Sequence, residues 1–349
     1  MGNVLLNIAD YIRRANPDGA IADIAEMLAQ CNEVLKDMIW QEANEPMGHK
    51  VTLRAALPQG TWRGANQGVA SSKSLTSQVT FGMGELVGYS IVDKSIADLW
   101  GQSAKIRMGE DMAFIEGMSQ QVASAVFYSN ESINPKQFTG LAPNYNTVTV
   151  TTAKSAANVI DCGGTGSANA SIWLSGWGDN SVYGIYPRGS QAGLIYENKG
   201  DIVPAYDSTG ARFEAYQSYF VWKLGLAIKN WQYNVRLGNI DTTTAAGGLW
   251  SSTPPDLFVY LARAVTKLPT ASRRLSNITE VDAPLEPRAG INPALYCNRS
   301  VRAALDVQAI RDKNVLIRFT EYAGAPTEMF RDVPIRVCDV LTNSEARIV

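Results

Sequence analysis

The sequence predicts a mixed α+β protein built on one dominant helix, with an extended β-ribbon set apart from it. Three observations carry that expectation. Residues 50–84 alternate apolar and polar in two arms, nine apolar residues recur every three or four positions from Ile96 to Val126, and residues 172–240 hold short strand patterns separated by turns.

The first element is an amphipathic helix over 21–39, where Ile21, Ile24, Leu28, Cys31, Leu35, Met38 and Ile39 share one face between Pro17-Asp18 and Pro46. Its other face is acidic: residues 18–45 hold Asp18, Asp23, Glu26, Glu33, Asp37, Glu42 and Glu45 against Lys36 alone. The ribbon that follows carries Lys50, Arg54, Arg63 and Lys73 and no carboxylate. Val51, Leu53, Ala55 and Leu57 on one arm and Leu75, Val79, Phe81 and Met83 on the other read as half-buried strands, and Pro58, Gly60, Gly64 and Gly68 mark a connection too long for a two-residue turn. An isolated two-stranded ribbon is marginal in water, so its apolar face needs a cover. Two readings of the charge stand side by side: solvated faces, or complementary patches that bring copies of the chain head to tail.

Asp93 is the expected N-cap of a long helix reaching about Tyr128. Thirty-five residues at 1.5 Å each make a rod of roughly 50 Å, and Gly101, Gly109 and Gly117 point to a bend, to close packing by another backbone, or to a break into two helices. TVTVTT at 147–152 is predicted as a short strand. SIWLSGWG, SVYGIYP, AGLIYE, DIVPAY and an aromatic run over 215–235, interrupted at Gly225, make a β-rich insert. Helices return at Asp256–Lys267 and Ser300–Arg311, then strands at VLIRF, VPIRVCDV and ARIV. No internal repeat or low-complexity linker separates domains.

At 349 residues, 46% hydrophobic and 18% charged, the chain can bury a sizeable core and holds no apolar run long enough to cross a bilayer. A net charge of −2 argues against DNA as a principal ligand, because sequence-independent binding relies on a basic surplus. Cys31, Cys162, Cys297 and Cys338 lack metal-site or redox spacing and read as buried thiols. The N-terminus lacks a signal-peptide pattern, which implies a reducing cytoplasm.

Catalytic chemistry finds no constellation. His49, the sole histidine, has no acid or nucleophile beside it in sequence and reads as a packing or surface residue. CGGTGSAN at 162–169 lacks the lysine of a phosphate loop and reads as a flexible loop. Trp173, Trp177, Tyr183, Tyr186, Tyr219, Trp222, Trp231 and Tyr233 at strand spacing fit a core or interface better than a sugar platform. No metal and no cofactor is expected.

The order of these elements, with the stretches MGHKVTLRAALPQGTWRGANQGV, DKSIADLWGQSAKIRMGEDMAFIEG, FTGLAPNYN, GWGDNSVYGIYP and FRDVPIRVCDVLTNSEARIV, resembles the major capsid proteins of tailed bacteriophages with the Hong Kong 97-type fold. The likeness spans nearly the whole chain. It implies an N-terminal arm at 1–46, an extended loop at 47–90, a peripheral domain with its spine helix at 91–154, an axial domain at 155–320 and peripheral return strands at 321–349. It further implies a non-enzymatic protein that assembles as pentamers and hexamers into an icosahedral head, in the bacterial host cytoplasm, around double-stranded DNA held by weak non-specific contact. Portal, scaffolding and possible decoration proteins are its implied partners, and no membrane. Arg54, Trp62, Arg63 and Lys73 become expected subunit contacts. Some relatives crosslink through a lysine of the loop; Lys73 lies in that region without a recognisable partner asparagine or glutamate, so it is treated as an ordinary charge. The rival readings are an encapsulin-like nanocompartment shell and, from another class, a cytoplasmic sugar-binding or hydrolytic β-rich protein.

Overall fold

The computed structural model describes residues 30–98, 103–200, 202–207, 209–269, 291–311, 317–322, 325–331 and 333–349. A short helix α1 (Val34–Asp37) leads into β1 (Trp40–Glu42), then the ribbon strands β2 (Gly48–Ala56) and β3 (Leu75–Asp93). Helices α2 (Lys94–Ala97) and α3 (Ser103–Tyr128) follow, then the turn α4 (Leu141–Asn144). The β-rich part comprises β4 (Val159–Asp161), β5 (Asn169–Trp177), β6 (Val182–Tyr186), β7 (Leu194–Asn198), β8 (Val203–Tyr206), β9 (Arg212–Ile228) and β10 (Asn234–Asp241). Helix α5 (Leu257–Lys267), β11 (Asn292–Cys297), helix α6 (Arg299–Arg311), β12 (Ile317–Tyr322), β13 (Ala325–Phe330) and β14 (Val333–Val337) complete the order.

The strands form a connected sheet ordered β12-β13-β14-β11-β5-β6-β9-β3-β2, with β10 between β5 and β4, and with β7 and β8 on β9. Its centre is β5, buried at every residue. Ile172 and Leu174 face one core, with Leu237, Leu257, Leu261, Leu295, Val301 and Leu305 from β10, β11 and the two late helices. Trp173 and Trp177 face the other, with Val122, Val126 and Phe127 of α3, Tyr145 and Tyr296. Period-two alternation therefore feeds two cores at once, which is why this strand reads as continuously apolar.

Several expectations hold. Asp93 caps α2 by accepting from the Ser95 amide at 2.7 Å, and Asp256 caps α5 through the Phe258 amide at 3.1 Å. CGGTGSAN is loop up to the first residue of β5, and the aromatics Trp173, Trp177 and Tyr183 are core. Cys162, Cys297 and Cys338 are buried free thiols, and burial pushes each up to about 12; Cys31 is only half-buried.

Others are corrected. From Gln30 onward the expected N-terminal helix is reduced to α1, because Asn32 bridges Cys338 and Met38 is already extended toward β1; residues 21–29 lie outside the described set. TVTVTT forms turns, with Val148 and Thr147 bonding the Val349 carbonyl, and ARIV is not a strand but a tail pinned by Asn239 to the Ile348 backbone. Gly225 does not interrupt β9: it pairs with Met83 on one side and Ile185 on the other. Within the expected rod, residues 99–102 are outside the described set, and α3 spans 26 residues, about 39 Å. Gly117 sits in open space, so it marks no close packing. The first half of the predicted stripe is not core either, since Met108 and Met112 are 65% and 60% exposed. There α3 turns Phe114 onto Phe220, ring centroids 5.9 Å apart, and Asp111 accepts from Ser218 at 3.0 Å.

Candidate subunit interface

The β2–β3 ribbon runs in register from Gly48↔Gly82 to Arg54↔Thr76, with a shift before Ala56↔Leu75. Its inner end is anchored. Val51 is buried, and Phe81 and Met83 pack on Tyr183, Ile185 and Ala227. From Arg54 through Thr80 every residue is exposed. Residues 57–74 touch themselves and little else: Ser72 donates to the Gln59 carbonyl at 2.9 Å, and Asn66, at φ 63°, turns the tip, a conformation asparagine tolerates.

Arg54 sits opposite Thr76 near the outer end of β2, Trp62 and Arg63 lie at the tip, and Lys73 lies on the returning segment. Trp62 is exposed over its whole surface. Among the described residues Arg54 and Lys73 have no ion-pair partner, and Arg63 makes only a 3.4 Å bond from Nε to the Gly64 carbonyl. An exposed Trp flanked by cations on a thin support is costly to display and is the composition that interface anchors favour.

At the base of the ribbon His49 accepts from the Asn44 amide through Nδ1 at 3.3 Å, and its Nε2 lies 2.9 Å from the Tyr183 hydroxyl with the rings edge to face. The network thus assigns the proton to Nε2. Burial, and then the Lys229 charge, hold the imidazole below its ordinary value. A histidine lowered in the folded state gives stability that is present above its unfolded value near 6.5 and is lost as pH falls through it. Amide exchange over residues 48–52 should therefore speed up between about pH 7 and 5, beyond its intrinsic pH dependence. His49→Gln should remove that change; an unchanged pH response would dissociate His49 from ribbon anchoring.

The acidic cover expected from 18–45 is largely spent within the chain. Arg336 pairs with Glu33 at 3.0 Å and Asp37 at 3.4 Å, and Asp37 also accepts from Tyr296, which accepts from Trp177, each at 2.8 Å. Burial raises the Asp37 carboxyl against the lowering pull of Tyr296 and Arg336. Glu42 accepts from the Gly189 amide at 2.8 Å, and Glu45 pairs with Lys50 at 3.2 Å. Asp18, Asp23 and Glu26 lie outside the described residues.

A second polar assembly escaped sequence reasoning. Buried Arg236 on β10 reaches Glu345 at 2.8 Å, the Tyr145 carbonyl at 2.9 Å and Ser171 at 3.1 Å, and stacks over Trp173. Glu345 also accepts from Ser171 and, at 2.6 Å, from Tyr128 at the end of α3, whose own pKa burial raises further. One charged residue within the apolar run NVRLGNI was the available signal. Among the described residues no cluster of three His, Cys, Asp or Glu is arranged to hold a metal, and no helix is long and apolar enough to cross a membrane.

Comparison with known proteins places this architecture. A family model described as major capsid protein GP7 matches residues 16–349. The structure of bacteriophage Epsilon15 is similar to this chain, with 29% identity over 100% of this chain and 98% of that one at a TM-score of 0.75. The bacteriophage JBD30 capsid matches with 10% identity over 90% and 93% of the two chains, TM-score 0.44. The SrpI encapsulin complex from Synechococcus elongatus matches with 13% identity over 69% and 98%, also at 0.44. Among curated proteins nothing matches. A mixed sheet, a spine helix and a ribbon that finds no cover on its own subunit thus coincide with a full-length family match: the chain belongs to the major capsid protein GP7 family, with the Hong Kong 97-type fold.

Proposed function

We propose that this chain closes into pentamers and hexamers of a phage head, with the ribbon of each copy clamping the next. The observation that carries the reading is the 18-residue tip over 57–74, exposed throughout and crowned by Trp62. Arg54, Trp62, Arg63 and Lys73 are the neighbour-facing contacts in this reading, and 1–46, 47–90, 91–154, 155–320 and 321–349 serve as arm, extended loop, peripheral domain, axial domain and return strands. Many weak contacts multiply around a closed shell, so each one stays reversible while errors anneal. The protein works by assembly and not by catalysis. The net charge of −2 suits an enclosed double-stranded DNA that is held weakly and non-specifically. Portal, scaffolding and, on some heads, decoration proteins are separate chains, and assembly takes place in the bacterial cytoplasm.

The test removes the clamp and keeps the body. Ala56 and Leu75 face each other, so residues 57–74 can be replaced by Asn-Gly, which closes a two-residue hairpin. The variant should stay soluble, with a denaturation midpoint within about 0.5 kcal/mol of the parent, because only exposed residues are lost. Negative-stain microscopy should show no shells. Uniform shells in normal yield would remove the ribbon from its role as clamp.

A further inference from the structure

We infer that the tip of the ribbon docks as a knob into one specific hole on the next copy: the cleft between the base of β3 and the last turns of α3. This rests on the ribbon being the clamp between subunits and adds where it lands. The cleft has a volume of about 430 Å³. Leu86, Val122, Ala125, Phe138 and Leu224 give it an apolar floor, and Glu85, Gln121, Ser124, Lys136 and Gln137 give it a polar rim. That volume lies at the low end of the range that takes small organic groups, and a buried aromatic in a pocket with a polar surround is how interface anchors are built.

The occupant is a second copy because the chain's own tip is held away. Gly84 at the cleft mouth is two residues past Gly82, which pairs with Gly48. The nine residues of β2 then carry the chain outward by about 27 Å, and Trp62 lies six residues further along. A knob and a hole on separate parts of one chain form a heterologous contact, which closes into rings. The charges also fit. The Glu131 carboxylate lies over Gly82 beside the cleft and has no ion-pair partner among the described residues, while Glu85 is engaged by Lys223 at 3.4 Å. Arg63, next to Trp62, supplies the missing cation. Lys136 on the same rim fixes the direction of docking, with Arg63 toward Glu131.

Two measurements decide it on the full chain. Trp62→Cys with Ser124→Cys, oxidised mildly under assembly conditions, should give a ladder of linked oligomers on a non-reducing gel, while either single variant, in which only Cys31 is part-exposed, should not. Trp62→Cys with Met112→Cys probes the rival landing place, the exposed stripe of α3. A ladder there and none with Ser124 overturns the cleft. Because Trp62→Cys can itself weaken assembly, a charge exchange is read in parallel. Arg63→Glu should lower particle yield, each such contact changing by on the order of threefold, and Glu131→Arg in the same chain should restore it. No restoration, with shells still formed by the parent, overturns the docking site and leaves the ribbon's clamp role standing. Loss of that role is read separately, from shells formed without residues 57–74.

Discussion

Glu345→Ala should lower the stability of the unassembled subunit by about 3–5 kcal/mol, the usual cost of leaving a buried charge without its partner. Arg236 and Glu345 are both nearly inaccessible, and the guanidinium has no route to water once the carboxylate is gone. Glu345 also ties four segments together: β10 through Arg236, β5 through Ser171, the end of α3 through Tyr128, and the C-terminal tail, whose Glu345 amide bonds the Asn169 carbonyl at 2.9 Å. Losing it should therefore loosen the tail as well as destabilise the core. Urea unfolding at concentrations below assembly gives the first effect, and amide exchange over residues 338–349 the second. Arg236→Met with Glu345→Leu removes both charges and should recover part of the loss, though Ser171 and the Tyr145 carbonyl then lose a donor. A Glu345→Ala chain as stable as the parent would show that the pair is not a linchpin.

How much of this was legible beforehand depends on whether the determining contact is local. The ribbon, the caps at Asp93 and Asp256 and the central strands follow from spacing, because periods of two and 3.6 and a side-chain oxygen before a helix are set by neighbours in the chain. TVTVTT was misread for the opposite reason. Its β-branched residues favour extension only if a strand lies alongside, and here Thr147 and Val148 meet the chain end instead. Glu33 and Asp37 read as a free acidic face because Arg336, about three hundred residues away, is not visible from them. The exposed tip was legible as an element without a cover, since charge, glycine and alternation all lie within one segment. The hole proposed for it is assembled from β3, α3, residues 136–138 and β9, which no local pattern connects.

Gly225 shows how a residue that looks like a break can be a close approach. A Cβ built there would lie 2.7 Å from the Gly82 carbonyl oxygen, 2.8 Å from Met83 Cγ and 3.0 Å from Ile185 Cγ1. It is the point at which β3 leaves its pairing with β2 and joins β9, with β6 closing from the other side. Gly225→Ala should cost about 1–3 kcal/mol or somewhat more, as overpacking does, and the cost should fall on the ribbon base, because β3 must move off β9 to admit the methyl group. Amide exchange should then rise at residues 81–85 more than in β5. Met83→Ala relieves only the side-chain part of the clash, so it should rescue little, since the Gly82 oxygen is backbone. Gly184 is the control: there the added Cβ meets the Trp40 ring at 2.6 Å, a side chain, so Gly184→Ala should be substantially rescued by Trp40→Leu. Full rescue of Gly225→Ala by Met83→Ala would show that the sheet gives way at this crossing, and that the ribbon is not rigidly aimed from its base.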